Sequence, residues 1–139
     1  MKVKISDYPD YNYWLDRLFG WNPKQKISVR IDKHDTWSMD HTLAPIIYPM
    51  LVQLKETQHG HPNGLTEQEW DAILDEMIWA FEQKCRDDWE TDYYKYDEAP
   101  DEQLGYRLVW EDHEGRKAHQ ERMSNGFMLF GKYYENLWD

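Results

Sequence analysis

Residues 66–89 constrain this chain more than any other stretch. Thr66 stands three residues before Glu69, the spacing of a reciprocal N-terminal helix cap. Trp70, Ile73, Leu74, Met77, Ile78, Phe81 and Cys85 then recur at helical spacing as one apolar stripe. The pattern predicts a helix from Thr66 to about Trp89 whose stripe has to be covered by other elements. A second helix is expected from Ser38 to about Gln58, with Leu43, Ile46, Ile47, Met50, Leu51 and Leu54 on one side and Gly60 and Pro62 as its stop. Pro45 and Pro49 fall inside it and should bend it, because each lacks an N–H and crowds the preceding turn. The carbonyls freed near His41 and Pro45 either face solvent on a bent helix or face a ligand.

A third long helix is expected from Asp112–Gly115 to about Leu137. Met123, Phe127, Phe130, Tyr134 and Trp138 make one face; Ala118, Arg122, Gly126, Leu129, Tyr133 and Leu137 make its neighbour. Two apolar faces argue for burial on two sides, by the other helices or by another subunit. Gly126 costs about 1 kcal/mol in a helix interior relative to Ala, which a close backbone approach would explain. Residues 2–5 and 26–32 alternate polar and apolar and read as a paired antiparallel element, with a short helix over 11–20 and a turn at Asn22-Pro23 between them. Residues 90–105 lose periodicity, and the run from Asp97 to Glu102 reads as an acidic exposed loop before a short strand over 106–111. The expected fold is mainly α: three long helices with a small N-terminal antiparallel β element, in a single domain over 1–139.

Composition supports a packed core. The 139 residues carry a net charge of -11 and a mean hydropathy of -0.98, values that suggest disorder, yet 16% of the residues are aromatic and disordered chains are poor in these. No stretch approaches the ~20 apolar residues of a membrane span, and no apolar signal region follows Met1. The single Cys85 cannot form an internal disulfide and suits a reducing compartment. A cytoplasmic protein without a membrane partner is therefore expected.

The charge is uneven. Residues 61–112 hold 4 basic and 16 acidic side chains, while 1–60 and 113–139 are close to neutral. Such a balance argues against direct binding of duplex nucleic acid. Arg116, Lys117, His119 and Arg122 nevertheless cluster in the first turns of the third helix, where cations oppose the helix dipole. Trp37, His41, Trp79, Trp110, Tyr133 and Tyr134 add more aromatic surface than a core of this size needs, and Trp79 lies off the stripe of its helix. Aromatic planes stack bases and guanidinium forks match phosphates. The candidate ligand-binding set is therefore Arg116, Lys117, His119, Arg122, Trp37, His41, Trp79 and Tyr133, and the alternative is surface charge beside generous aromatic packing.

Other constellations carry less. His59-Gly60-His61 lacks an obvious third metal ligand, and His34-Asp35 lacks the upstream His that an HD-type phosphohydrolase needs. Neither a catalytic nucleophile, a metal site nor a cofactor is expected. Glu69, Asp75, Glu76 and Glu82 crowd one helix, and all-α nucleotide pyrophosphohydrolases, which hold Mg²⁺ between carboxylates of facing helices, are resembled only weakly.

The segments Asp35-Thr-Trp-Ser-Met-Asp-His-Thr-Leu-Ala-Pro to Gln53-Leu-Lys, Asp75-Glu-Met-Ile-Trp-Ala-Phe-Glu82, and His119-Gln-Glu-Arg-Met-Ser-Asn-Gly-Phe to Leu137-Trp-Asp139 resemble a family of small bacteriophage proteins. The resemblance spans roughly residues 30–139 and implies an accessory role against host defence, in the cytoplasm of the host cell. The leading expectation is a non-enzymatic homo-oligomer that binds and sequesters a small phosphorylated ligand, a nucleotide immune signal, without cleaving it. Arg116, Lys117 and Arg122 would contact phosphates, His119 would add a hydrogen bond, and Trp37, Trp79 or Tyr133 would stack a base; the other reading of Arg122, which falls on a packed face of its helix, is a salt bridge to Glu76 or Glu82. The alternatives are an acidic charge mimic that inhibits a host protein through residues 61–112, and a Mg²⁺-dependent pyrophosphohydrolase using Glu76 and Glu82.

Overall fold

The computed structural model describes residues 1–5, 26–86, 88–98 and 105–138. The short helix expected over 11–20 and the Asn22-Pro23 turn lie outside the described residues. The chain divides into two compact units, Met1–Met39 and Asp40–Asp139.

In the first unit, β1 (Lys2–Ile5) pairs antiparallel with β2 (Ile27–Arg30), with Val3 opposite Val29 and Ile5 opposite Ile27. Period-two alternation puts these aliphatic side chains on one face and Lys2, Lys4 and Arg30 on the other. A single 3₁₀ turn, Lys33–Thr36, follows; Asp32 caps it by accepting from the His34 N–H, and Asp35 answers by accepting from the Asp32 N–H. Asp35 also accepts from the Met1 amino group at 2.7 Å, and these bonds hold its carboxyl below the usual carboxylate range. The acid of the His34-Asp35 dipeptide is thus employed in local structure.

The second unit is built on α1 (Met39–Thr57), α2 (Glu67–Cys85) and α3 (His113–Lys132). Helix α1 runs through Pro45 and Pro49 without interruption and buries Ala44 and Leu51. At the start of α2, Thr66 Oγ1 accepts from the Glu69 N–H, and the Glu69 carboxylate accepts from the Thr66 N–H at 2.8 Å. That reciprocal cap lowers the Glu69 pKa. The predicted stripe is the core: Trp70, Leu74, Met77 and Phe81 are buried against Ala44 and Leu51, with Phe127 and Phe130 of α3 meeting Phe81 edge-on. Polar pairs fasten α1 to α2: Lys55 pairs with Asp75, Gln58 just past the end of α1 donates to Asp71 at 2.6 Å, and Asp40 of α1 pairs with Lys84 of α2 at 2.6 Å. Gly126 of α3 lies where a Cβ would overlap Ala80 Cβ and sit 2.6 Å from the Glu76 carbonyl, so α2 and α3 meet there almost backbone to backbone.

The architecture corrects the expected fold class. It is mainly α, but its strand content is not confined to the N-terminus. A second two-stranded antiparallel sheet, β3 (Tyr94–Glu98) paired with β4 (Tyr106–Glu111), stands in the C-terminal half. Tyr94-Lys95-Tyr96-Asp97 alternates aromatic and charged residues, and pairing with 106–111 outweighs the acidity that suggests a loop. Asp97 and Glu98 are strand residues; Asp101 and Glu102 lie outside the described residues. Two helix ends also move. Helix α2 stops at Cys85 because Arg86 is extended, and α3 stops at Lys132, where Tyr133 (φ -104°, ψ 15°) leaves the helical region and a 3₁₀ turn, Tyr134–Asn136, follows. No described helix is long and apolar enough to cross a membrane.

Candidate functional site

The early end of α2 creates the site. Released from the helix, residues 89–93 form a 3₁₀ turn held by Arg86, whose guanidinium reaches Asp92 at 3.0 Å and Asp88 at 3.5 Å. The turn lays Trp89 flat on the His119 ring of α3, with centroids 4.5 Å apart and planes 18° from parallel. Trp79 of α2 is a second ring neighbour of His119, tilted at 4.9 Å, and the Arg122 guanidinium lies 3.9 Å above the Trp79 ring. Arg122 closes the row with a two-pronged bond to Glu76, Nε to Oε2 at 3.0 Å and an η-nitrogen to Oε1 at 2.8 Å. Trp89, His119, Trp79, Arg122 and Glu76 therefore form one continuous stack drawn from three elements.

His119 is the centre of this stack. Its Nδ1 is 2.9 Å from the Tyr93 hydroxyl, and its Nε2 is buried with no hydrogen-bond partner among the described residues. Protonation would place an N–H in that unpartnered position. Burial pushes the His119 pKa down, and Arg86 and Arg122 push the same way against the opposing pull of Asp92. Tyr93 is seated at the start of α3 by Gly115, where a Cβ would come within 2.9 Å of its ring. Asp112, the α3 N-cap, accepts from the Gly115 N–H and donates its own N–H to the Tyr93 carbonyl, both at 2.8 Å.

Beside the stack is a surface cleft of about 280 Å³ lined by Trp89, Glu90, His113, Arg116, Lys117, Gln120 and Glu121. Of the sequence-predicted set, Arg116 and Lys117 line it and His119 lies directly against its Trp89 wall. Arg116 has Glu111 at 3.4 Å, and Lys117 has Glu121 at 3.8 Å one helical turn on. The remaining candidates sit elsewhere. Arg122 and Trp79 belong to the stack, so the off-stripe Trp79 is covered by its own chain. Tyr133 is about 24 Å along the helix axis from Lys117 at 1.5 Å per residue, edge-on to Trp70. His41 is exposed on the first turn of α1 beside Asp40, and Trp37 belongs to the first unit and is 85% exposed. Sequence reasoning misses Trp89 because it reads as the tail of α2; the change from helical to irregular spacing after Cys85 is the available signal.

The chemistry of the carboxylates bears on the pyrophosphohydrolase alternative. Both oxygens of Glu76 are taken by Arg122, and Asp71 and Asp75 are engaged with α1. Among the described residues no group of three or more His, Cys, Asp or Glu side chains is placed to hold a metal ion. The single Cys85 thiol is pushed up by burial and by the neighbouring Glu82. What the site offers is an aromatic wall stacked on His119 beside two cations. Comparison of the chain with known protein families, with curated proteins and with solved structures finds no match.

Proposed function

We propose that the chain binds a small, planar, phosphorylated ligand of the nucleotide class in the Trp89–Arg116–Lys117 cleft and holds it without cleaving it. One observation carries the reading: an aromatic ring already fixed by stacking on His119 borders the same cleft as a guanidinium and an ammonium group. A ring that is ordered before binding loses little freedom on binding, which is what a stacking platform requires. The cleft volume is close to the lower end of ordinary small-molecule sites, about 300 Å³, and suits a mononucleotide. Its charge narrows the class further. Glu90 and Glu121 share the walls with Arg116 and Lys117, so a triphosphate would crowd its charges against two carboxylates, whereas a monophosphate or cyclic phosphodiester would not. Sequestration of an immune signal by a bacteriophage protein in the host cytoplasm, and action as a homo-oligomer, are part of the same proposal. The phage and anti-defence elements rest on the resemblance of residues 35–55, 75–82 and 119–139.

The test is mass spectrometry of small molecules released by heating protein purified from phage-challenged cells, for wild type and Trp89→Ala. An intact nucleotide in the wild type, lost from the variant, is the expected result. Recovery of a hydrolysed product would favour an enzyme, and no nucleotide from either protein would remove the proposal.

A further inference from the structure

Among the described residues strand β3 has one neighbour, β4, and none of them pairs with its other edge. The Asp112 N–H donates to the Tyr93 carbonyl, so residue 93 faces the β4 side of the ladder. Counting along a regular strand, Tyr94, Tyr96 and Glu98 turn their backbone N–H and C=O groups away from β4. The irregularity in the pairing falls on β4: Lys95 is opposite Trp110 and Tyr96 is opposite Leu108, so Val109 is the extra residue. A bulge bends its strand and blunts its edge for pairing. The β4 edge carries that protection, and the β3 edge does not.

The side chains of β3 are self-complementary. An antiparallel pair of β3 strands related by a two-fold axis at Tyr96 sets Tyr96 against its own copy, Lys95 against Asp97, and Tyr94 against Glu98. Each Lys95–Asp97 pair occurs twice. Neither residue makes an ion pair among the described residues, and Lys95 has only a distant contact with Trp110, 6.0 Å from the ring centroid. The same pairing joins two incomplete surfaces. On one face of the β3–β4 ribbon, Tyr96 is 55%, Tyr106 60% and Leu108 44% exposed. A two-stranded ribbon is marginal alone, and three or more strands with an apolar face are what confer stability.

We infer that the outer β3 edge is a self-association surface: two copies of this chain pair β3 with β3 about Tyr96, giving a four-stranded sheet in the order β4-β3-β3-β4. This names the surface for the self-association included above and is independent of whether the cleft takes a nucleotide.

The test is a charge swap read by light scattering at high micromolar concentration. Wild type should have a dimer mass. Lys95→Glu sets a carboxylate against Asp97 at two positions, and Asp97→Lys sets an ammonium group against Lys95 at two positions, so each variant should dimerise about 30-fold more weakly. Mixed together, the carboxylate introduced at position 95 of one variant faces the ammonium group introduced at position 97 of the other, and the native Asp97 of the first faces the native Lys95 of the second; both pairs carry opposite charges, so the variants should form a one-to-one heterodimer. The mixture also guards against misfolding, since a variant that failed to fold could not be rescued by its partner. Monomeric wild type, or a dimer that survives both inversions, overturns the inference. Titration of the monomeric variants with cyclic AMP reads the cleft separately.

Discussion

Replacing Arg122 with Ala removes the outer half of the stack and separates two roles for that residue. Sequence alone allows a carboxylate or a ligand phosphate as its partner; the fold gives it the Glu76 carboxylate and the Trp79 face. The magnitude follows from exposure. With side chains 49% and 33% exposed, the pair is half solvated, which limits it to about 0.5–1 kcal/mol despite its two-pronged geometry. A guanidinium over an indole at a partly exposed site adds about 0.5–1 kcal/mol. Arg122→Ala should therefore cost about 1–2 kcal/mol, a fall in Tm of about 3–7 °C for a chain of this length. Arg122→Lys keeps the charge, loses the fork, and should fall about half as far. The assay is thermal unfolding by far-UV circular dichroism without ligand, with Glu76→Gln completing a double-mutant cycle. High salt should weaken the Glu76 part while leaving the Trp79 part. An Arg122→Ala protein with wild-type Tm and no coupling to Glu76 would refute this reasoning, and loss of nucleotide-induced stabilisation alone would return Arg122 to the ligand.

Three further outcomes are expected. Gly126→Ala should lower stability by about 1–2 kcal/mol, because overpacking of Ala80 and the Glu76 carbonyl exceeds the ~1 kcal/mol gained in helix propensity; an unchanged or raised Tm would contradict the close approach of α2 and α3. His119 stays neutral in the folded state below its ordinary pKa of about 6.5, so the stability it contributes is present above that value and is lost as pH falls toward the lowered folded value. His119→Phe keeps the ring stack without the titration, and its Tm should fall less than wild type between neutral and mildly acidic pH; parallel curves would count against a buried neutral imidazole. Thr66→Ala should cost about 1 kcal/mol in thermal unfolding by opening the α2 cap, and no change would mean the cap is not formed in solution.

The elements that sequence reveals here are those with an unbroken period. The α2 stripe from Trp70 to Phe81 is the core, and the alternation at 2–5 and 26–32 is the N-terminal ribbon, apart from its outermost residues. Elements escape notice where two signals compete. Tyr94-Lys95-Tyr96-Asp97-Glu98 has the alternation of a strand, but its charge reads as a loop until the partner at 106–111 is known. Helix ends set by backbone conformation, at Arg86 and Tyr133, leave no mark in an apolar stripe. The candidate site is partly legible for the same reason. Arg116, Lys117 and His119 share a few turns of one helix, so their neighbourhood is local. The Trp89 wall depends on where α2 stops and escapes notice, whereas the Arg122 partner, 46 residues away, is legible as one of two α2 carboxylates, Glu76 or Glu82, and is Glu76.

The central claim, that the Trp89 wall and the Arg116 and Lys117 cations form one ligand site, is tested most directly by isothermal titration. Adenosine monophosphate, cyclic AMP and a cyclic dinucleotide would be titrated into wild type, Trp89→Ala and Lys117→Glu proteins. The account predicts saturable binding of at least one monophosphate or cyclic phosphodiester by wild type. It predicts at least a tenfold loss, equivalent to about 1.4 kcal/mol, in each variant, with the ligand recovered intact. Wild type that binds none of the panel, or variants that bind as tightly as wild type, would contradict it.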